Sequence, residues 1–111
     1  MGAEHPDVAQ SLNNLAGLLQ DQGKYAEAEP LYRRALEMVE KQLGAEHPYV
    51  ATSLNNLALL LQDQGKYAEA EPLYRRALKI VKTQLGENHP STTAIKKNFR
   101  SLLSNMDSTG G

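Results

Sequence analysis

The chain has 111 residues, 12 basic and 13 acidic side chains, three His and no Cys. A net charge of −1 excludes a generally basic nucleic-acid binder and a polybasic membrane binder. The lack of Cys excludes disulfides, thiolate zinc sites and cysteine nucleophiles, and no apolar run approaches the roughly 18 residues of a membrane span.

Seventeen Leu and 13 Ala stand against four Val and two Ile, a balance that favours helices over strands. From the start of the chain the sequence repeats. Gly2-Ala3-Glu4-His5-Pro6 recurs as Gly44-Ala45-Glu46-His47-Pro48 and, altered, as Gly86-Glu87-Asn88-His89-Pro90, an offset of 42 each time. Between 2–43 and 44–85, 35 of 42 positions are identical. Copies this similar mean recent duplication or a consensus-like sequence.

Each unit reads as two helices. In the second unit Val50, Leu54, Leu57 and Leu61 share one face of a first helix, expected from about Pro48 to Gln64. Pro48 suits the first helical position and places His47 in extended, capping geometry. Gly65, like Gly23, is expected to close the first helix in a left-handed conformation. Tyr67, Ala70, Tyr74, Ala77 and Val81 stripe a second helix from about Lys66 to Gln84, closed by Gly86 as Gly44 closes its counterpart. Pro72, like Pro30, lies inside that helix and predicts a bend without a break, because the stripe continues on both sides. The short linker 62–66 makes the helices antiparallel. One hairpin cannot cover its own apolar faces, whereas stacked hairpins can.

Asn56-Leu57-Ala58, Gly65, Tyr67, Glu69-Ala70, Tyr74 and Ala77-Leu78, repeated at Asn14-Leu15-Ala16, Gly23, Tyr25, Glu27-Ala28, Tyr32 and Ala35-Leu36, resemble the tetratricopeptide repeat. The 42-residue period and the His-Pro helix start are similar to the kinesin-light-chain type. The resemblance implies an all-α, right-handed α-solenoid of antiparallel hairpins whose first helices line a concave groove. It divides the chain into repeat one at 2–43, repeat two at 44–85, a half-repeat capping helix at 86–105 and a disordered tail at 106–111. The capping helix keeps Phe99, Leu102 and Leu103 as one apolar stripe, with Lys96, Lys97 and Arg100 solvated.

Within that frame the groove candidates are Asn13, Asn14, Gly17, Asn55, Asn56, Leu59, Lys97 and Asn98. Asn14, Asn56 and Asn98 recur once per unit and are expected to form a ladder. An amide offers one acceptor and two donors, suited to an extended peptide backbone or a carboxylate; it can equally fix the packing of neighbouring helices. Gly17, where the second copy has Leu59, opens space. The paired-cation carboxylate clamp of chaperone-binding relatives has no counterpart, since Ala94 and Asn98 hold its positions. Gln20, Asp21, Gln62 and Asp63 either add groove contacts or are solvated helix ends. His5, His47 and His89 are too far apart to share an ion, so they read as helix-start residues. Arg33-Arg34 and Arg75-Arg76 are expected in surface ion pairs with nearby Glu. Tyr49, near a helix start, is expected to be exposed.

The first helix has no preceding cap, so Val8, Leu12 and Leu18 mark a self-association face or the cut end of a longer array. Catalytic motifs are absent from the sequence. The expected function is a cytoplasmic protein–protein interaction scaffold presenting its groove to a peptide or partner helix, with no cofactor or metal and no nucleic-acid or membrane partner. The alternative is a structural unit that forms homo-oligomers.

Overall fold

The structure, a computed structural model, describes residues 6–110. Five helices follow in order: α1 (Pro6–Asp21), α2 (Tyr25–Leu43), α3 (Pro48–Asp63), α4 (Tyr67–Leu85) and α5 (Pro90–Gly110). No strand occurs among the described residues. Each helix packs on its neighbour in the chain, α1 also touches α3, and α3 touches α5. The hairpins α1–α2 and α3–α4 therefore stack in a row, with the first helices side by side. The body measures 49 × 34 × 19 Å. This is the expected all-α stack. Pro30 and Pro72 lie inside α2 and α4 without interrupting either helix.

Local chemistry sets the helix ends. His47 is extended (φ −72°, ψ 140°), and its imidazole Nδ1 accepts a hydrogen bond from the Tyr49 backbone N–H at 3.0 Å. His89 Nδ1 accepts from Ser91 N–H at the same distance. His47 and His89 thus cap α3 and α5, a task usually given to Ser, Thr, Asp or Asn; His5 lies outside the described residues. His47→Ala is expected to lower stability by about 1 kcal/mol and His47→Ser to recover most of it, as read by urea unfolding. At the hairpin turn, Gly65 adopts φ +77°. There Lys66 N–H donates to Leu61 O at 2.8 Å and Gly65 N–H to Gln62 O at 2.9 Å, a paired closure that only a left-handed residue permits cheaply.

Two apolar clusters lie at different levels along the helices. One joins Ala9, Ala35, Val39, Val50, Ala51, Leu54, Ala77, Ile80, Val81 and Ile95 near the starts of the first helices. The other joins Ala16, Ala28, Tyr32, Leu57, Ala58, Leu60, Leu61, Ala70, Tyr74 and Leu102 near the hairpin turns. Alanines recur wherever two helices meet, and the small side chain lets the axes approach.

Helix α5 departs from expectation in its length and at Leu103. It runs past residue 105 to Gly110, so residues 106–110 are helical and not a disordered tail. Met106 packs on the second cluster and anchors the extra turn. Leu103 is not part of the buried stripe but is exposed, whereas Ile95 and Leu102 are buried. Thr92 occupies the place of Val50 and is fully buried, its hydroxyl satisfied by donating to Gly86 O at 2.7 Å. The α5 positions that correspond to Ala51, Ala58 and Leu61 hold Thr93, Arg100 and Leu103, all exposed, so α5 turns a largely polar face outward and ends the stack.

Candidate functional site

The first helices carry the amide-rich positions, and the packing of α1 beside α3 leaves a cleft of about 560 Å³ between them. Asn13, Asn14, Gly17 and Asn56 line it together, with Gln10, Gln20 and Asp21 from α1, Thr52 from α3 and Tyr32 from α2. Among the described residues Asp21 is the one carboxylate on this wall, and no Lys or Arg lines it. A smaller cleft of about 260 Å³ continues from it past Gln10, Asn13 and Thr52 toward Ala9, Val39 and Tyr49.

Two hydrogen-bonded chains shape the floor of the amide row. Tyr32 Oη donates to Gln20 Oε1 at 2.8 Å, and Gln20 Nε2 donates to Asp63 Oδ2 at 2.7 Å, tying repeat one to repeat two. One repeat on, Tyr74 Oη donates to Gln62 Oε1 at 2.8 Å. Gln20 and Gln62 are therefore neither free groove groups nor solvated ends; they hold the tyrosine hydroxyls. Burial raises the pKa of Tyr32, and the nearby charges of Asp21 and Asp63 add to the effect.

The Asn ladder forms in part. Asn98 Nδ2 donates to Asn55 Oδ1 at 3.1 Å, so one rung is a packing contact between α5 and α3, and it joins Asn98 to Asn55 rather than to Asn56. The corresponding rung between α3 and α1 is not made: among the described residues Asn13 Oδ1 is buried and has no hydrogen-bond partner. Asn14 Oδ1 accepts from Gln10 Nε2 at 3.2 Å. Leu59 is half-buried against the second cluster. Lys97 is exposed and, like Asn55, Leu59 and Asn98, does not line the α1–α3 cleft.

Gly17 has φ in the helical range, and a Cβ placed on it would meet Tyr32 Oη at 3.5 Å, an ordinary contact. Gly17→Ala is expected to raise stability by up to about 1 kcal/mol, the helix-propensity difference, with the gain read from the denaturant midpoint.

Three of the four arginines form the expected ion pairs; among the described residues Arg34 faces no carboxylate. Arg33 and Arg75 bind Glu29 and Glu71 one turn back, at 3.0 and 2.8 Å. Arg76 reaches across the repeat boundary to Glu40, and Lys66 to Glu29 at 3.7 Å. Burial works to raise the Glu29 pKa, but hydrogen bonds from Arg33 and Gln64 and the charges of Arg33 and Lys66 outweigh it and lower it. Tyr49 is 59% exposed, as expected, with its ring edge-on to His47 at 4.8 Å. Among the described residues no group of three or more His, Cys, Asp or Glu is placed to hold a metal, and no helix is long and apolar enough to cross a membrane.

The expected self-association face is placed differently from its sequence reading. Val8 and Leu12 are half-buried against the first cluster. Leu15 and Leu18 carry the exposed apolar surface at 48% and 55%. Leu15 belongs to the same sequence stripe as Leu12, and only the packing separates the two: Leu12 lies against the first cluster and Leu15 does not.

This row of stacked helical hairpins, with amide side chains on the first helices, defines a repeat scaffold. A family model for the tetratricopeptide repeat matches residues 7–83 and 50–99, and the chain belongs to that family. Repeats of this family generally mediate protein–protein interaction, and the family is one of scaffolds. Among solved structures, BtubC (BKLC) from P. vanneervenii is 30% identical and superposes with a TM-score of 0.82 over 93% of this chain and 41% of its own. A kinesin-light-chain candidate from Podosopora anserina with nearly identical TPR-like repeats is 28% identical, TM-score 0.82, over 96% of this chain and 49% of its own. The chain thus spans less than half the length of these solved relatives. No curated protein matches it.

Proposed function

We propose that the chain is a non-catalytic, cytoplasmic interaction scaffold whose α1–α3 cleft takes an extended peptide or a partner segment through N–H donors. The observation that carries this reading is the buried Asn13 Oδ1, without a hydrogen-bond partner among the described residues, at a cleft that also presents Asn14 and Asn56. An unmet buried acceptor costs about 1–3 kcal/mol, which a ligand N–H would return on binding. In repeat two the equivalent acceptor, Asn55 Oδ1, already has its donor in Asn98, so the open amide lies at repeat one. With Asp21 on the wall and no cation there, the cleft suits a donor-rich backbone or a basic side chain better than a carboxylate.

NMR titration with peptide pools tests this. Shifts confined to residues 10–21 and 52–63, lost in Asn13→Ala, support it; an absence of shifts on both segments across basic and neutral pools would count heavily against it. The alternative expectation, a homo-oligomer through Val8, Leu12 and Leu18, draws on the exposed Leu18 but not on the half-buried Val8 and Leu12. Light scattering across a concentration series decides it, and a strict monomer removes it.

A further inference from the structure

Four of the seven positions that differ between the repeats fall in one stretch of the second helix: Glu37, Met38, Glu40 and Lys41 of α2 stand as Lys79, Ile80, Lys82 and Thr83 in α4. Met38 and Ile80 are both buried, so the core is kept while two acidic positions become basic. Arg75, Lys79 and Lys82 stand at i, i+4 and i+7, one line of roughly 10 Å along α4. Helix α5 supplies the other wall, with the Arg75 guanidinium 5.2 Å from the centroid of the Phe99 ring. Arg75, Leu78, Lys79, Lys82 and Phe99 line a groove of about 270 Å³ that holds no carboxylate among the described residues. Glu71 and Glu87 flank it and are already engaged, Glu71 by Arg75 at 2.8 Å and Glu87 by Lys82 and Lys96 at 3.8 and 2.7 Å. Lys79 is exposed and has no carboxylate partner among the described residues. The residues of α5 make this face unfit for a further hairpin. Where α3 buries Leu54 and Ala58 completely, α5 carries Lys96 and Arg100. Helix α5 also continues through Asp107, the position at which the repeats turn on Gly23 and Gly65. An arginine in place of the contact alanine keeps a second helix axis away.

We propose that the α4–α5 groove docks an acidic protein segment that carries an apolar side chain between carboxylates. Charge and shape together select this occupant. The apolar side chain covers Leu78 and the Phe99 ring, and the carboxylates meet Lys79 first and then Lys82 and Arg75. Alternate residues of an extended segment lie about 7 Å apart on one side, close to the roughly 6 Å of helix rise between Arg75 and Lys79. A bare polyanion leaves the apolar floor wet, and it finds no free guanidinium fork here, because the Arg75 Nε and Nη2 both donate to Glu71 Oε2. An α2-like surface in this position, with Glu37 and Glu40, would repel the same segment, so the charge change confines docking to repeat two. No residue of this groove lines the α1–α3 cleft, and the two surfaces favour ligands of opposite charge.

The test titrates the full chain with the synthetic peptide Glu-Asp-Glu-Leu-Glu-Asp-Glu and follows NMR shifts. Shifts centred on Leu78, Lys79, Lys82 and Phe99 are expected, weakening as salt is added. The peptide with Ser for Leu is expected to bind about fivefold more weakly, and the one with Gln and Asn for every acid to give no shifts. Lys79→Glu/Lys82→Glu restores the residues that α2 carries in the same helix, and circular dichroism checks that its fold is kept. It is expected to weaken binding by about tenfold, and Lys79→Glu, which loses no ion pair, by about threefold. Unchanged affinity in both variants, shifts centred on Asn13 and Asn56 in the cleft, or equal affinity of the Leu and Ser peptides would each overturn the proposal. So would inorganic tripolyphosphate binding as tightly as the Leu peptide, which would make the face a general anion surface.

Discussion

Leu57→Ala is expected to lower the unfolding free energy by about 2–5 kcal/mol, and Leu15→Ala by less than about 1 kcal/mol. The two leucines sit in the same local sequence, Ser-Leu-Asn-Asn-Leu-Ala, on helices of equal length. They differ in what lies beyond. Leu57 is 0% exposed between two neighbouring helices, so removing three heavy atoms leaves a cavity that rigid surroundings only partly fill. Leu15 is 48% exposed and its truncation mostly returns surface that water already wetted. Urea unfolding of the two variants, with an unchanged slope as a check on the denatured state, reads the difference directly. Equal losses would mean that the end face is covered in solution.

Alkaline pH is expected to destabilise the fold steeply, and Tyr74→Phe to flatten the response. Tyr74 is fully buried, and burial, with the Asp63 charge adding, raises its hydroxyl pKa well above the ordinary tyrosine value of 10.0. In the unfolded chain the same hydroxyl ionises near pH 10. A raised folded pKa contributes stability that is fully present below the unfolded value and lost as pH climbs past it. The loss per such tyrosine approaches about 1.4 kcal/mol per pH unit from roughly pH 10 upward, until the folded group itself ionises. Tyr32 shifts in the same direction. Tyr74→Phe gives up the hydrogen bond to Gln62 Oε1, about 1 kcal/mol at neutral pH, but no longer carries the alkaline penalty. Its deficit is therefore expected to shrink above pH 10 and to reverse near pH 11. Denaturant midpoints of both proteins at pH 7, 9, 10.5 and 11.5 check this, and parallel curves would show that Tyr74 is not the responsible group.

How much of this could be read in advance differs between fold and site. The period of 42, the Leu and Tyr stripes, the Pro after each His and the Gly after each hairpin determine the hairpins and their order, because each is a local rule that the backbone obeys within one or two turns. The polar outer face of α5 was legible for the same reason, from Arg100 and Lys96 standing where repeats one and two place Ala58 and Leu54, or Ala16 and Leu12. The amide row was legible only as a set of positions. Nothing in Asn13-Asn14 and Asn55-Asn56, identical pairs, says that Asn55 accepts from Asn98 while Asn13 Oδ1 is left without a donor. Nor does anything local say that Gln20 and Gln62 hold tyrosine hydroxyls, since those bonds span 12 residues.

By itself, then, the sequence determined what repeats: the element types, their lengths, their caps and the faces they bury. Only the tertiary structure decided what differs between copies that are nearly the same. A stack has two ends, and a side chain's burial, its hydrogen-bond partner and the charge it meets all depend on whether another hairpin lies beside it. That is why Leu15 is open while Leu57 is sealed, and why Arg34 faces no carboxylate among the described residues while Arg76 binds Glu40.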